Sequence, residues 1–149
     1  MDVVELGPSD AAAAVALWEA CGLTRPWNDA RADFLRAVAG PSSAVLGIRS
    51  SQAAAAAAPA AVHQSSLLGT AMVGHDGHRG WVYYLAVTPS AQGSGLGRTL
   101  MDACEQWLIA RGIPKIQFMV RTDNAAVLSF YDHLGYPQQD VLVLGRRLS

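Results

Sequence analysis

Charge is scarce in this chain. Of its 149 residues 15% are charged, and 11 Lys and Arg stand against 12 Asp and Glu, a net charge of -1 with the four histidines neutral. That balance leaves no basic footprint for nucleic acid or for an anionic membrane surface, so neither is an expected partner. A local basic patch around a phosphate ligand remains compatible with it. Long apolar runs are also lacking. Hydrophobic residues make up 51%, but alanine inflates that share. The longest alanine run, Ala53 to Ala58, is broken by Pro59 and is too short to span a bilayer. Cysteine is nearly missing: Cys21 and Cys104 match no metal or redox spacing, and no grouping of histidines and acids supports metal binding. The opening residues, Met1-Asp2-Val3-Val4-Glu5, carry acids and not the basic start of a signal peptide. The cytoplasm is therefore the expected compartment, with both cysteines as free thiols.

What remains suffices for a single domain over 1–149, since a chain of this size buries about 70% of its unfolded surface. Met1 to Leu6 reads as a strand. A helix follows from a cap at Ser9 or Asp10 to Gly22, and a loop, Thr24 to Asp29, leads to a second helix that Gly40-Pro41 stops. Ser43 to Ile48 reads as a strand. The stretch at about 50–66 is Ala- and Ser-rich with little bulky apolar surface, which predicts an enlarged loop of about 15 residues or a short alanine helix. Strands are predicted at Leu67 to Val73 and Trp81 to Val87, the latter apolar enough to be covered on both faces. A helix from about Gly95 to Arg111 sets Leu96, Leu100, Cys104 and Leu108 on one stripe. Lys115 to Arg121 should be a strand, Asp123 or Asn124 should cap a helix through His133, and Asp140 to Leu148 should be a last strand. This order describes an α/β layer structure in which the strands on either side of the long helix run parallel.

Chemistry concentrates at Gln92-Gly93-Ser94-Gly95-Leu96-Gly97-Arg98, between a buried strand and an amphipathic helix. Glycines let the backbone approach a ligand, and the free N–H groups of the helix start carry the positive end of the dipole. Together these bind phosphate; a tight strand–helix connection is the plainer alternative. The phosphate loop of nucleotide triphosphatases needs Gly-Lys-Ser/Thr after its second glycine, which is absent. The dinucleotide fingerprint needs glycines at relative positions one, three and six, whereas Gly93, Gly95 and Gly97 fall at one, three and five.

Gln92-x-x-Gly95-x-Gly97 resembles the coenzyme A pyrophosphate motif of the GNAT superfamily of N-acetyltransferases. Leu85-Ala86-Val87-x-Pro89 looks like that family's central strand. Asn124 with Phe130-Tyr131-x-x-Leu134-Gly135-Tyr136 resembles its ending. The resemblance is specific from about Gly69 to Tyr136 and, within the family, is greatest to bacterial YpeA-type acetyltransferases. It implies a mixed, mainly antiparallel sheet with a parallel strand pair around the cofactor loop, flanked by about four helices. It implies acetyl-CoA as co-substrate and acetylation of a primary amine, on a small molecule or a peptide, by direct attack in a ternary complex. A non-catalytic acyl-CoA-binding or regulatory module is the alternative, and either fits a monomer or homodimer. The implied cofactor contacts are Gln92, the amides of Gly93, Ser94, Gly95, Leu96, Gly97 and Arg98, the backbone of Leu85, Ala86 and Val87, and Asn124. Tyr131 would protonate the leaving thiolate, and a phenol with pKa near 10 is protonated at neutral pH and able to donate.

No residue announces itself as the base. Peptide N-terminal acetyltransferases of the superfamily carry Glu in a Glu-Val-Arg-x-x-Asn segment, and Met119 stands in its place here. The candidates are Asp76, His78 and Tyr83, acting directly or through water; His78 also reads as a solvated turn residue. Tyr83 and Tyr84 are expected on opposite strand faces, only one toward the cleft. For the acceptor, Trp27, Asn28 and Asp29 lie where the family usually builds its amine site, and Tyr84 is a further candidate. Trp27 and Asp29 can hold an ammonium by cation–π contact and charge, or they serve as a packing plug and a helix cap.

Overall fold

A computed structural model describes residues 2–50 and 67–149, so the expected insertion at about 50–66 lies, from residue 51 onward, outside the described residues. Internal packing divides the chain into two units, Met1–Phe118 and Met119–Ser149.

In the first unit, β1 (Val3–Glu5) leads through a 3-10 turn (Pro8–Asp10) into α1 (Ala11–Ala20). Asp10 acts ahead of that helix: its carboxylate accepts from Gly7 N at 3.0 Å and from Arg49 at 2.8 Å. Helix α2 (Ala30–Ala39) is capped by Asp29, whose Oδ1 accepts from Ala32 N at 3.0 Å. Such a cap is worth about 1 kcal/mol. Strands β2 (Ser43–Arg49), β3 (Leu67–His75) and β4 (Gly80–Val87) form an antiparallel meander with β1 outside β2. Helix α3 (Leu96–Ile109) then crosses to β5 (Ile116–Gln117), which pairs with β4 in parallel. The sheet order is β1-β2-β3-β4-β5, the mixed, mainly antiparallel α/β sheet that the motifs imply.

Helix α3 covers one sheet face: of its predicted stripe Leu100, Cys104 and Leu108 are buried and Leu96 is half-buried, with Met101 buried beside them. Burial of each large side chain contributes about 1.5–3 kcal/mol. Two strand glycines let it come close. A Cβ at Gly80 would lie 2.3 Å from Leu108 Cδ1, and one at Gly69 would lie 2.9 Å from Leu100 Cδ1. Helices α1 and α2 cover the other face through Ala14, Leu17, Trp18 and Phe34, packed with Val45 and Ala86.

The strand expected over Lys115 to Arg121 is reduced to Ile116–Gln117. The second unit holds α4 (Ala125–His133), and of the two cap candidates the structure uses Asn124, whose Oδ1 accepts from Val127 N at 3.3 Å. Gly135, at φ 93°, ends the helix as expected. The strand expected over Asp140 to Leu148 does not form among the described residues: no ladder pairs it, and Val141, Leu142, Val143 and Leu144 are exposed. A β pattern supplies suitable side chains, but a strand exists only with a hydrogen-bonded partner. No helix among the described residues is long and apolar enough to cross a membrane.

Candidate functional site

The junction from β4 to α3 is built by two backbone irregularities. The first is a bulge inside β4. Thr70 pairs with Ala86 and Met72 with Tyr83, so Tyr84 and Leu85 together face the single residue Ala71. Tyr84 takes φ 52°, the one positive value at a non-glycine among the described residues. Such a conformation costs of order 1–3 kcal/mol and persists only where its surroundings fix it. The bulge corrects the expectation that Tyr83 and Tyr84 point to opposite faces. Tyr83 shares the face of Met72, and Tyr84 stacks on Trp18, which bonds Thr70 on that same face. The extra residue breaks the period-2 alternation.

The second irregularity is the glycine loop. After a 3-10 turn at Pro89–Ala91, Gly93 (φ 82°) and Gly95 (φ 89°) are left-handed, and Gly95 is the N-cap of α3 with no side-chain cap. A Cβ at either would meet nothing within 4 Å. Glycine is thus required by conformation and not by crowding, and the loop's outer side is open to a ligand. The amides of Leu96, Gly97 and Arg98 belong to the first turn of α3, where helical N–H groups have no intrahelical acceptor. Ser94 Oγ donates to Ala91 O, closing the loop on itself. Gln92 turns back on the strand, its Nε2 donating to Val87 O at 3.0 Å, and Cys21 Sγ donates to the same carbonyl at 3.3 Å. Leu85, Ala86 and Val87 end β4, and the stretch from Gln92 to Arg98 follows them through the Pro89–Ala91 turn, tied back to Val87 O by Gln92. An exposed backbone with unused helix-start donors fits a phosphorylated ligand.

Tyr83 is exposed, and partial burial raises its phenol above its ordinary value. Tyr84 is half-buried. Its OH donates to Asp33 Oδ2 at 2.7 Å, and burial together with that carboxylate pushes its phenol well up.

His78 is not brought to this junction. It lies in the turn before β4, whereas the glycine loop follows its far end, roughly 23 Å away at about 3.3 Å per residue. Its N–H serves the turn, donating to Asp76 Oδ1 at 2.8 Å. Asp76 also accepts from Arg79 N at 2.8 Å and from Trp81 Nε1 at 3.2 Å. These bonds, Arg79's first, lower the Asp76 carboxyl to about 2. Asp76 is therefore a turn acceptor and a poor base.

Trp27, Asn28 and Asp29 line an open hollow of about 730 Å³ between α1 and α2, together with Glu19, Arg25 and Arg31. Trp27 is 53% exposed, so it is not a buried plug, while Asp29 does serve as the cap of α2. In the second unit Tyr131 is buried, with Phe130 and Tyr136 edge-on at 5.1 and 6.1 Å. Asn124 spends its carbonyl oxygen on the α4 cap. Sequence reasoning missed Asp33, Thr70 and Trp18. Nothing in composition marks a tertiary hydrogen bond between residues more than fifty positions apart. Cys21 and Cys104 are free thiols, and burial pushes Cys104 up to about 12.

A relative from Yersinia enterocolitica, named an acetyltransferase, is 39% identical over 148 residues, which is 99% of this chain and 96% of the relative. The aminoglycoside N-acetyltransferase AAC(6′)-Iy, in complex with CoA, superposes with a TM-score of 0.76 at 13% identity, covering 99% of this chain and 95% of that one. The ribosomal-protein-S18-alanine N-acetyltransferase of Escherichia coli superposes at 0.69 with 20% identity, covering 90% and 76%. These two likenesses establish the fold, and the relative places the chain among acetyltransferases. The Acetyltransferase (GNAT) family matches residues 24–136, and the chain belongs to that family.

Proposed function

We propose that this chain acts as one domain that transfers an acetyl group from acetyl-CoA to a primary amine by direct attack in a ternary complex. The observation that carries this reading is the open, left-handed Gly93–Gly95 loop at the start of α3, continuous with the bulged end of β4. The amides from Gly93 to Arg98 would hold the pyrophosphate, and the backbone of Leu85 to Val87 would pair with the pantetheine arm. An amide of that segment would stabilise the developing oxyanion. The amine nitrogen attacks the thioester carbon, the C–S bond breaks, and the thiolate takes its proton from Tyr131. Asn124 would bind the arm. The amine's proton leaves to water, with Tyr83, exposed on β4, as the side chain positioned to assist.

Trp27, Asn28 and Asp29 would receive the acceptor in the hollow between α1 and α2. The structural neighbours include an aminoglycoside N-acetyltransferase and a ribosomal-protein-alanine N-acetyltransferase, so likeness of fold leaves both a small-molecule and a peptide amine open. The alternative, a non-catalytic acyl-CoA-binding module, draws on the turn placement of Asp76 and His78, which leaves no strong base on β4. Acetyl-CoA turnover with a panel of amines decides between the two. Saturable release of free CoA that depends on one amine supports the enzyme. Tight acetyl-CoA binding with no turnover across the panel supports the module.

A further inference from the structure

Among the described residues Thr70 is the single buried polar one, and Trp18 beside it is equally inaccessible. Their polar atoms form a directed relay. Trp18 Nε1 donates to Thr70 Oγ1 at 2.9 Å, and Thr70 Oγ1 donates to Tyr84 O at 3.2 Å. The carbonyl at the end of the relay belongs to the residue with the left-handed backbone. The ring of that residue lies flat on Trp18, with centroids 3.8 Å apart and planes at 9°, and its hydroxyl is tied to Asp33 on α2. Every group that fixes the bulge thus lies outside β4, on α1, α2 and β3.

We propose that Trp18 and Thr70 are positioning residues: their buried relay holds the bulge of β4, and so sets which backbone groups of Leu85, Ala86 and Val87 face an acyl-pantetheine arm. This rests on the cofactor reading above. Without the Thr70 hydroxyl, the Tyr84 carbonyl loses its bond and the Trp18 N–H is orphaned in an apolar core. The relaxed course for the strand is ordinary extended pairing at Tyr84. That removes the extra residue and shifts everything beyond it by one position, which exchanges strand faces. The glycine loop, held by its own φ angles and by Ser94, is not part of the relay.

The two halves of coenzyme A separate these effects. Acetyl-CoA reaches both strand and loop, whereas 3′-phospho-ADP, its nucleotide half, reaches only the loop. Titration calorimetry with both ligands is carried out on the full chain and on Thr70→Val, an isostere lacking the hydroxyl. The expected result is acetyl-CoA affinity lower by about tenfold or more, 3′-phospho-ADP affinity within about twofold of wild type, and recovery of acetyl-CoA binding in Thr70→Ser. Acetyl-CoA affinity unchanged in Thr70→Val, or both ligands weakened in proportion, overturns the proposal. If Thr70→Val does not fold, Trp18→Phe breaks the same relay at its other end, and a wild-type ratio of the two affinities there also overturns it. A wild-type chain that binds neither ligand removes the cofactor reading, and this proposal with it.

Discussion

The phenol of Tyr84 donates to the carboxylate of Asp33 at 2.7 Å across 51 positions of sequence, joining the bulge of β4 to helix α2. Tyr84→Phe removes that bond while keeping the ring on Trp18. The variant should lose about 1 kcal/mol, less than the roughly 1.5–3 kcal/mol of a buried bond to a charged group because solvent reaches the pair. Urea denaturation should show a lower midpoint with an unchanged slope. An unchanged midpoint would mean that the bond is replaced by water at no cost.

The same phenol sets an alkaline limit. Its folded-state pKa is raised, by burial first and by Asp33 next. The stability it contributes is therefore fully present below the unfolded value near 10 and falls as pH rises above it. Wild type should lose stability above pH 10 more steeply than Tyr84→Phe. Parallel curves for the two chains would contradict the assignment.

At the acid end the corresponding group is Asp76, lowered to about 2 by the bonds from Arg79, His78 and Trp81. A depressed carboxyl contributes stability that is present above its unfolded value and lost as pH falls through the folded one. The stability difference between wild type and Asp76→Ala should hold from pH 7 to about 4 and then shrink toward pH 2. NMR titration of the Asp76 carboxyl with a midpoint near 4 would remove this account of the hairpin turn.

Gly95 separates charge from conformation. Asp and Asn both tolerate left-handed backbone better than other side chains, and they differ in charge. With ligand at a hundredfold excess over its dissociation constant, CoA should stabilise the wild type by about 2.7 kcal/mol. Gly95→Asp should abolish the thermal shift and Gly95→Asn should keep part of it. Equal shifts in both variants would show that no phosphate lies against Gly95.

Tyr131→Phe tests the proposed thiolate acid. General-acid contributions are typically 10²–10⁴-fold, so kcat should fall by about a hundredfold while KM for acetyl-CoA stays within about threefold. Turnover at the wild-type rate would return Tyr131 to the packing of Phe130 and Tyr136.

The parts of the fold legible in sequence were those written locally. The stripe at Leu96, Leu100, Cys104 and Leu108 is a property of one helix, and all of it but the half-buried Leu96 is buried as its spacing predicts. The glycine loop was legible because positive φ selects a residue type. The bulge was not, because Trp81 to Val87 reads as a regular strand. Its break depends on Thr70 and Trp18, which are brought near only by the tertiary fold. Asp140 to Leu148 has the composition of a strand, yet no ladder pairs it among the described residues, since pairing is a property of two segments. His78 was a candidate on chemistry alone, and the run of β4 sets it at the end away from the glycine loop.

Val87 O already accepts from Gln92 Nε2 and Cys21 Sγ, which occupy the two lone pairs a carbonyl has. A donor arriving at that oxygen must evict one of them. Binding there is an exchange of partners with little net gain in hydrogen bonding. Its consequence is mechanical: a donor that displaces Gln92 frees that side chain from the end of the strand.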